Sequence, residues 1–347
     1  MIYLMGFLLM SFGSLLFIFS KEFIRYETLI IKSVVVVLAL FAALRWGVGT
    51  DWDAYYNFYK ELHYPGEPGY NLVNNIFSSL AVNYSAFLFI VNVTALSLMA
   101  IFLLRHSYIP LFAFLIFYSD LFLYLNFSGI RQAIALSIAL FAYQYAERRD
   151  LTKFVLFVLL AASFHVSALA FSLVYVLPRQ RMQVSTIVFL AVGIFAFAQF
   201  FDYFVYYFDL GLGKNMAYYV VDHVKGDNID NDFLVGIIRR SIILFFVALH
   251  YHRFKTITSA QYILNIYVIG FIIYLLTYMI SPDIGVRVSL YFTFFEVIIA
   301  SNLLYSLNRL PNRVLFATVY LMLCFYKIYG YSSYDAYVYN SILFAGV

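Results

Sequence analysis

The chain has 347 residues, 64% of them hydrophobic and only 12% charged, and its 22 Lys and Arg against 18 Asp and Glu leave a net charge of +4. Soluble domains carry about 25% charged and about 45–50% apolar residues, so a water-soluble fold is excluded. A nucleic-acid binder is excluded as well, because its basic residues would cluster where these are dispersed, and the single cysteine, Cys324, cannot form a disulfide within the chain.

Apolar runs recur from end to end, near 2–20, 28–46, 84–104, 108–125, 130–146, 154–177, 184–208, 234–251, 262–280, 286–305 and 313–330. Most reach the roughly 17 to 25 residues that cross a hydrocarbon core of about 30 Å. The expected fold is an all-α polytopic integral membrane protein of about 10–12 transmembrane or re-entrant helices, a single transmembrane domain over 1–347. The first run has neither a basic start nor a small-x-small cleavage site, so it is expected to be a retained helix rather than a signal peptide. Aromatic residues reach 21%. Most of these rings are expected to pack or face lipid, with sugar stacking the rarer use.

Two hydrophilic stretches interrupt the apolar runs, near 47–75 and 209–232, and both are expected to be extracytoplasmic loops. The basic clusters Lys21/Arg25/Lys32, Arg105, Arg148/Arg149/Lys153, Arg179/Arg181, Arg253/Lys255 and Arg309/Arg313 should gather on the cytoplasmic side. A simple up-and-down path does not allow this, because the run 154–177 has Lys153 before it and Arg179 after it. If that run enters and leaves one face as two short halves, it is a re-entrant segment with Ser163-Phe164-His165-Val166-Ser167 at its apex. His165, Arg45, Asp51, Glu67, Arg131 and Arg287 then fall on the extracytoplasmic side.

The charges left over carry the chemistry. After the second run comes Arg45-Trp46-Gly47-Val48-Gly49-Thr50-Asp51-Trp52-Asp53-Ala54-Tyr55, continuing to Glu67-Pro68-Gly69-Tyr70-Asn71. Arg45 could hold a phosphate there and Asp51 or Glu67 could activate a hydroxyl, or Arg45 could simply pair with Asp51 to fix the loop. Asp51-x-Asp53 offers only two carboxylates, too few to specify a metal, and none is expected. In Asn126-Phe127-Ser128-Gly129-Ile130-Arg131-Gln132, Ser128 or Asn126 could cap a helix with Arg131 in its first turn. A cation there opposes the helix dipole and calls for an anion beside it. His165, with an ordinary imidazole pKa of about 6.5, suits proton transfer. Arg239 and Arg240 lie inside an apolar run, and Arg287 follows Ser281-Pro282-Asp283-Ile284-Gly285. A mid-bilayer arginine costs about 2.5–3.5 kcal/mol on insertion scales, so these are expected to face a water-filled cavity or an anion. The acidic stretch Asp222 to Asp232 would lie over such a cavity as a lid. The sequons at Asn83, Asn92 and Asn126 fall in or near spans and are not expected to carry glycans.

Four motifs in order, Arg45-x-Gly-x-Gly-x-Asp51-x-x-x-Tyr55, Glu67-Pro68-Gly69-Tyr70, Gly129-Ile-Arg131-Gln132-x-x-Ala135 and Phe164-His165-x-Ser167-Ala168, resemble the EpsG family of membrane polysaccharide polymerases, related in role to the Wzy polymerases. The resemblance is close over roughly residues 40–175 and loose beyond, resting there on Arg287 ahead of Tyr291-Phe292. It implies a fold related to membrane glycosyltransferases of the GT-C-like kind, in the bacterial inner membrane. It implies an enzyme that joins oligosaccharide repeat units carried on undecaprenyl diphosphate at the periplasmic face, for O-antigen, capsule or exopolysaccharide. The implied partners are the lipid-linked glycan donor and acceptor, the bilayer and a chain-length regulator, with no cofactor and no nucleic acid. His165, Asp51 and Glu67 would be the catalytic residues. Arg45, Arg131, Arg287, Arg240, Arg239, Gln132 and Tyr55 would bind the diphosphate and substrate. A transferase using a polyprenyl-phosphate sugar, or a flippase of lipid-linked glycan, would draw on the same charges.

Overall fold

The computed structural model describes residues 2–19, 26–61, 66–208, 229–278 and 281–344. The described residues are helical, as expected, and the one isolated β-bridge among them pairs Arg45 with Ser341. Among the described residues, five helices are long and apolar enough to cross a membrane: Tyr84–His106, Pro110–Ser128, Ala260–Thr277, Pro282–Ser306 and Leu310–Ser332. Other apolar runs form shorter helices, including Leu151–Ala162. Large apolar side chains stand in the open on these helices, with Leu9 73%, Leu156 61% and Phe189 75% exposed, surfaces that suit lipid and not water. Most of the acidic connection expected at 209–232 lies outside the described residues.

The chain gathers into two compact units, Met1–Tyr175 with Leu304–Val347, and Val176–Leu303. In the first unit, α1 (Ile2–Phe19) and α2 (Glu27–Ala43) precede two short helices in the expected loop, α3 (Trp52–Glu61) and α4 (Pro68–Ser79). Then come α5 (Tyr84–His106), α6 (Pro110–Phe117), α7 (Ile130–Arg148) and α8 (Leu151–Ala162). Helix α6 is the buried centre of the unit, all eight of its residues buried. It runs on in wider π-helical turns over Tyr118–Ser128, a geometry often found at functional sites. Glu27 of α2 accepts a hydrogen bond from the backbone N–H of Leu111 at 2.9 Å, satisfying a donor that the first turn of α6 leaves without a helical partner.

Inter-helix polar contacts add direction to this packing. Asn126 donates to Asn92 at 2.9 Å inside the unit, and Asn83 caps α5 by accepting from the N–H of Ala86 at 2.7 Å, so all three sequon asparagines have structural roles. Asp120 in the π-helical turns lies 3.9 Å from Lys327 of the closing helix Leu310–Ser332.

The segment 154–177 folds back on itself. Helix α7 ends at Arg149 in the left-handed region (φ 59°), and Asp150 caps α8 through the N–H of Lys153 at 3.1 Å. Helix α8 breaks at Ser163, and a 3-10 turn over Val166–Ser172 leads into Leu173–Val176. The returning arm lies beside the first: Arg149 donates to the carbonyl of Tyr175, the Tyr175 hydroxyl donates back to Arg149 O at 2.9 Å, and Phe154 packs on Phe171. A 12-residue arm is about 18 Å long, short of a full bilayer core.

The second unit contains the helices Val184–Phe208, Ile229–Leu249, Ala260–Thr277 and Pro282–Thr293, followed by Glu296–Ser306, whose last residues belong to the first unit.

Candidate functional site

Residues from four parts of the sequence meet in the first unit, and a helix start organises them. Arg131 stands in the first turn of α7, where its charge opposes the helix dipole. The anion that placement calls for is Glu67. Arg131 Nη1 donates to Glu67 Oε2 at 2.5 Å, and Nε donates to the Tyr55 hydroxyl at 3.0 Å. Glu67 is the N-cap residue of α4, in extended conformation ahead of Pro68, so its backbone direction is fixed by the helix that follows. Tyr55 lies in α3 and meets Tyr70 of α4 edge to face, with centroids 5.6 Å apart.

Burial by itself would raise the Glu67 carboxyl. The Arg131 guanidinium, the residue's own backbone N–H and nearby His165 outweigh burial and hold its pKa below the ordinary value of 4.5. Glu67 is therefore an ionised carboxylate at neutral pH. Because its folded pKa is depressed, the stability it contributes is present above about pH 4.5 and is lost as the pH falls through the folded value. Thermal unfolding of purified protein should accordingly show no loss attributable to this pair between pH 7 and pH 5, and a decline below that range that Glu67→Gln removes.

His165 is delivered to the same place by the turn after α8. Its backbone is extended (φ −158°), and its Nδ1 is hydrogen-bonded to Ser167 Oγ at 2.6 Å. The contact that brings the α8 turn to α4 is made by main chain: Gly69 N–H donates to Ser163 O at 2.7 Å. A Cβ on Gly69 would fall 2.4 Å from Ser163 Oγ and 2.8 Å from Ser163 O. Gly69→Ala should therefore separate the turn from α4 and destabilise the protein by about 1–3 kcal/mol, read as a lower unfolding temperature.

The loop ahead of α3 is fastened on two sides. Gly49 adopts φ +107°, which favours glycine, and a Cβ there would lie 2.5 Å from Phe127 O. Thr50 N–H donates to Ser128 Oγ at 3.0 Å, and Ser128 Oγ bonds the Tyr337 hydroxyl at 2.8 Å. The tail then zips along the loop, with Trp46 N–H to Asn340 O at 2.9 Å, Ile342 N–H to Leu44 O at 2.9 Å and Gly49 N–H to Ala336 O at 2.8 Å. Asp51 accepts the Tyr55 N–H through its carbonyl at 3.1 Å, while its carboxylate accepts from the Thr50 hydroxyl at 3.1 Å.

Several expectations change in detail. Arg45 is 1% exposed and donates to three backbone carbonyls, those of Ala42, Val48 (3.1 Å) and Phe127 (3.1 Å). Its guanidinium thus clamps the loop to the π-helical turns, and the alternative pairing with Asp51 is replaced by these carbonyls. Neither Ser128 nor Asn126 caps α7. Gly129 occupies the N-cap position without a side-chain bond, because the two polar residues are engaged by Thr50, Tyr337 and Asn92. Gln132 is 2% exposed and accepts from the Tyr124 hydroxyl at 3.4 Å.

Arg239, Arg240 and Arg287 belong to the second unit. Arg240 is 7% exposed, lies 3.7 Å from the Tyr274 ring centroid and donates to Gly236 O at 3.1 Å. The Tyr267 hydroxyl donates to buried Glu296 at 3.1 Å and also lies 3.1 Å from Arg240 O, which places an anion within electrostatic reach of the buried cation. An aromatic face and a carboxylate thus compensate Arg240 inside the protein, the anion of the two expected alternatives rather than the water-filled cavity. Arg239 and Arg287 are half-buried.

Sequence reasoning passed over Asp120, Tyr337 and the tail. The signal for the first was a lone carboxylate in an apolar run. For the tail it was the dense run of tyrosines from Tyr331 to Tyr339.

These features define a helical membrane protein with an ionised carboxylate, an arginine and an imidazole gathered at one helix start. The family profile of the EpsG family matches residues 28–342, and the chain belongs to that family. Searches of curated proteins and of solved structures returned no significant match. Family membership supports a membrane polysaccharide polymerase-like role, with a glycosyltransferase-like activity.

Proposed function

We propose that the protein polymerises oligosaccharide repeat units carried on undecaprenyl diphosphate, at the periplasmic face of the inner membrane, by glycosyl transfer. The observation that carries this reading is the Arg131–Glu67 pair beside His165 in a chain of this family. The acceptor hydroxyl oxygen attacks the anomeric carbon of the donor glycan, and the bond from that carbon to the diphosphate breaks, its electron pair leaving with the lipid diphosphate. His165 takes the hydroxyl proton. A carboxylate held at low pKa is itself a weak base, so the favoured role of Glu67 is to stabilise the imidazolium that forms and to position sugar. Asp51, within electrostatic reach of Tyr55 and Tyr337, is the second candidate base.

Arg131 meets the negative charge that develops on the departing diphosphate. Tyr55 orients Arg131, Gln132 supports the same helix turn, and Arg45 shapes the loop from beneath. Arg239, Arg240 and Arg287 enter as separate diphosphate candidates, each tested by its own substitution. The folded-back 154–177 segment supports the re-entrant reading, since its arm is too short to span and both ends return together. A chain-length regulator is the proposed protein partner.

The experiment is purified protein with a lipid-linked repeat unit. A ladder of polymers is expected. A single added sugar would overturn the proposal in favour of a polyprenyl-phosphate-sugar transferase, and transfer of intact substrate between leaflets without a new bond would favour a flippase.

A further inference from the structure

The chain contains two tryptophans, and they touch. Trp46 and Trp52 have ring centroids 4.8 Å apart, and Tyr56 stacks on Trp52 at 4.8 Å with an interplanar angle of 20° while meeting Trp46 at 5.3 Å. Trp52 is the buried base, braced by the edge of Tyr84, whereas Trp46 and Tyr56 are half-exposed. Helix α3 ties this cluster to the site, because Tyr55 faces Arg131 while the next residue, Tyr56, turns to the tryptophans. We propose that Trp46 and Tyr56, backed by Trp52, form a saccharide platform that holds the glycan beside Glu67 and Arg131; the proposal rests on the polymerase reading and names the part of the substrate the platform takes.

Interface tryptophans usually anchor membrane proteins at the headgroups, and the surroundings here argue against that use. The exposed face of α3 is formed by Asp53, Ala54, Asn57, Lys60 and Glu61. A helix lying on lipid would expose apolar residues there, as α8 exposes Leu156 and Leu159. A sugar instead offers one face of C–H bonds to an aromatic ring and a rim of hydroxyls to charged neighbours. Lys60, exposed above the Tyr56 ring at 4.4 Å, and Asp53 supply such neighbours. The cluster also contains polar atoms without partners among the described residues, the Trp52 indole N–H and the Tyr84 hydroxyl. Rings locked against one another lose little freedom when a ligand stacks on them.

Because both tryptophans lie in this cluster, intrinsic tryptophan fluorescence reports on it alone. The probe is a lipid-free oligosaccharide cut from the host cell's own surface polysaccharide, titrated into protein reconstituted in lipid vesicles. A saturable change in emission is expected, with the half-saturating concentration raised about tenfold by Tyr56→Ala. Trp46→Phe, which keeps a ring and leaves Trp52 as reporter, provides a second variant if the first does not accumulate, and it should weaken saturation less. No saturable change in the wild type, or saturation unaltered in both variants, would overturn the platform. Quenching by brominated lipid that oligosaccharide leaves unchanged would overturn it too and assign Trp46 to the membrane surface. Failure of the polymerase reading would look different, as wild-type protein that forms no glycosidic bond from the lipid-linked repeat unit.

Discussion

Arg131→Ala should abolish long polymer while leaving protein in the membrane. The guanidinium reaches two partners in different directions, Glu67 through Nη1 and the Tyr55 hydroxyl through Nε. Its loss leaves a carboxylate whose side chain is only 16% exposed without its counter-charge, costing about 1.5–3 kcal/mol of local order, and in the proposed reaction removes the cation that meets the departing diphosphate. Arg131→Lys should rescue poorly, because a single ammonium cannot replace a fork that bonds in two directions. Glu67→Ala should be similarly damaging, and the double variant no worse than either single one, as residues acting as a unit are strongly non-additive. Polymer length on gels, with protein abundance measured alongside, checks all three. Additive losses would separate Glu67 from Arg131 and sink the assigned pairing.

His165→Ala should act on rate more than on folding. The residue sits at a turn whose position is set by main-chain contact, Gly69 N–H to Ser163 O, so removing the imidazole leaves the turn in place. General-base catalysis contributes about 10²- to 10⁴-fold, and a loss of that size in the rate of bond formation is expected with unfolding temperature little changed. In the wild type the rate should fall as the medium becomes acid, since a protonated ring cannot accept the hydroxyl proton. Glu67→Gln should shift that fall to lower pH, because the carboxylate no longer favours the charged ring. A variant lacking His165 that retains both the rate and its pH dependence would transfer the base role to Asp51.

The membrane class and the pieces of the site were legible because charges are scarce. A cation at a helix start and a histidine in an apolar run each stand out against a background that is 64% hydrophobic, and the expectation of an anion near Arg131 follows from the helix dipole alone. What the sequence withholds is the partner. Glu67 lies 64 positions from Arg131, and the spacing leaves open whether the anion is a side chain or a substrate. Arg45 looked like a phosphate ligand for the same reason that it makes a good clamp, its several donors, and only the surrounding carbonyls decide between the two. The tail and the Asp120–Lys327 contact depend on pairings across about 200 residues or more, which no local pattern encodes. The division into two units has no marker in composition, since both are equally apolar.

The hydrogen bonds that fasten residues 44–49 to residues 336–342 have a consequence for biogenesis. The edge partner of the loop leading to Asp51 is made some 290 residues after the loop itself, a delay of roughly 15–60 s at about 5–20 residues per second. Throughout that interval residues 44–49 would lack these edge bonds and be held only by the contacts of Arg45 and Thr50 with Phe127 and Ser128. The loop beside the candidate site would thus gain its full set of edge bonds only after residues 336–342 have been made.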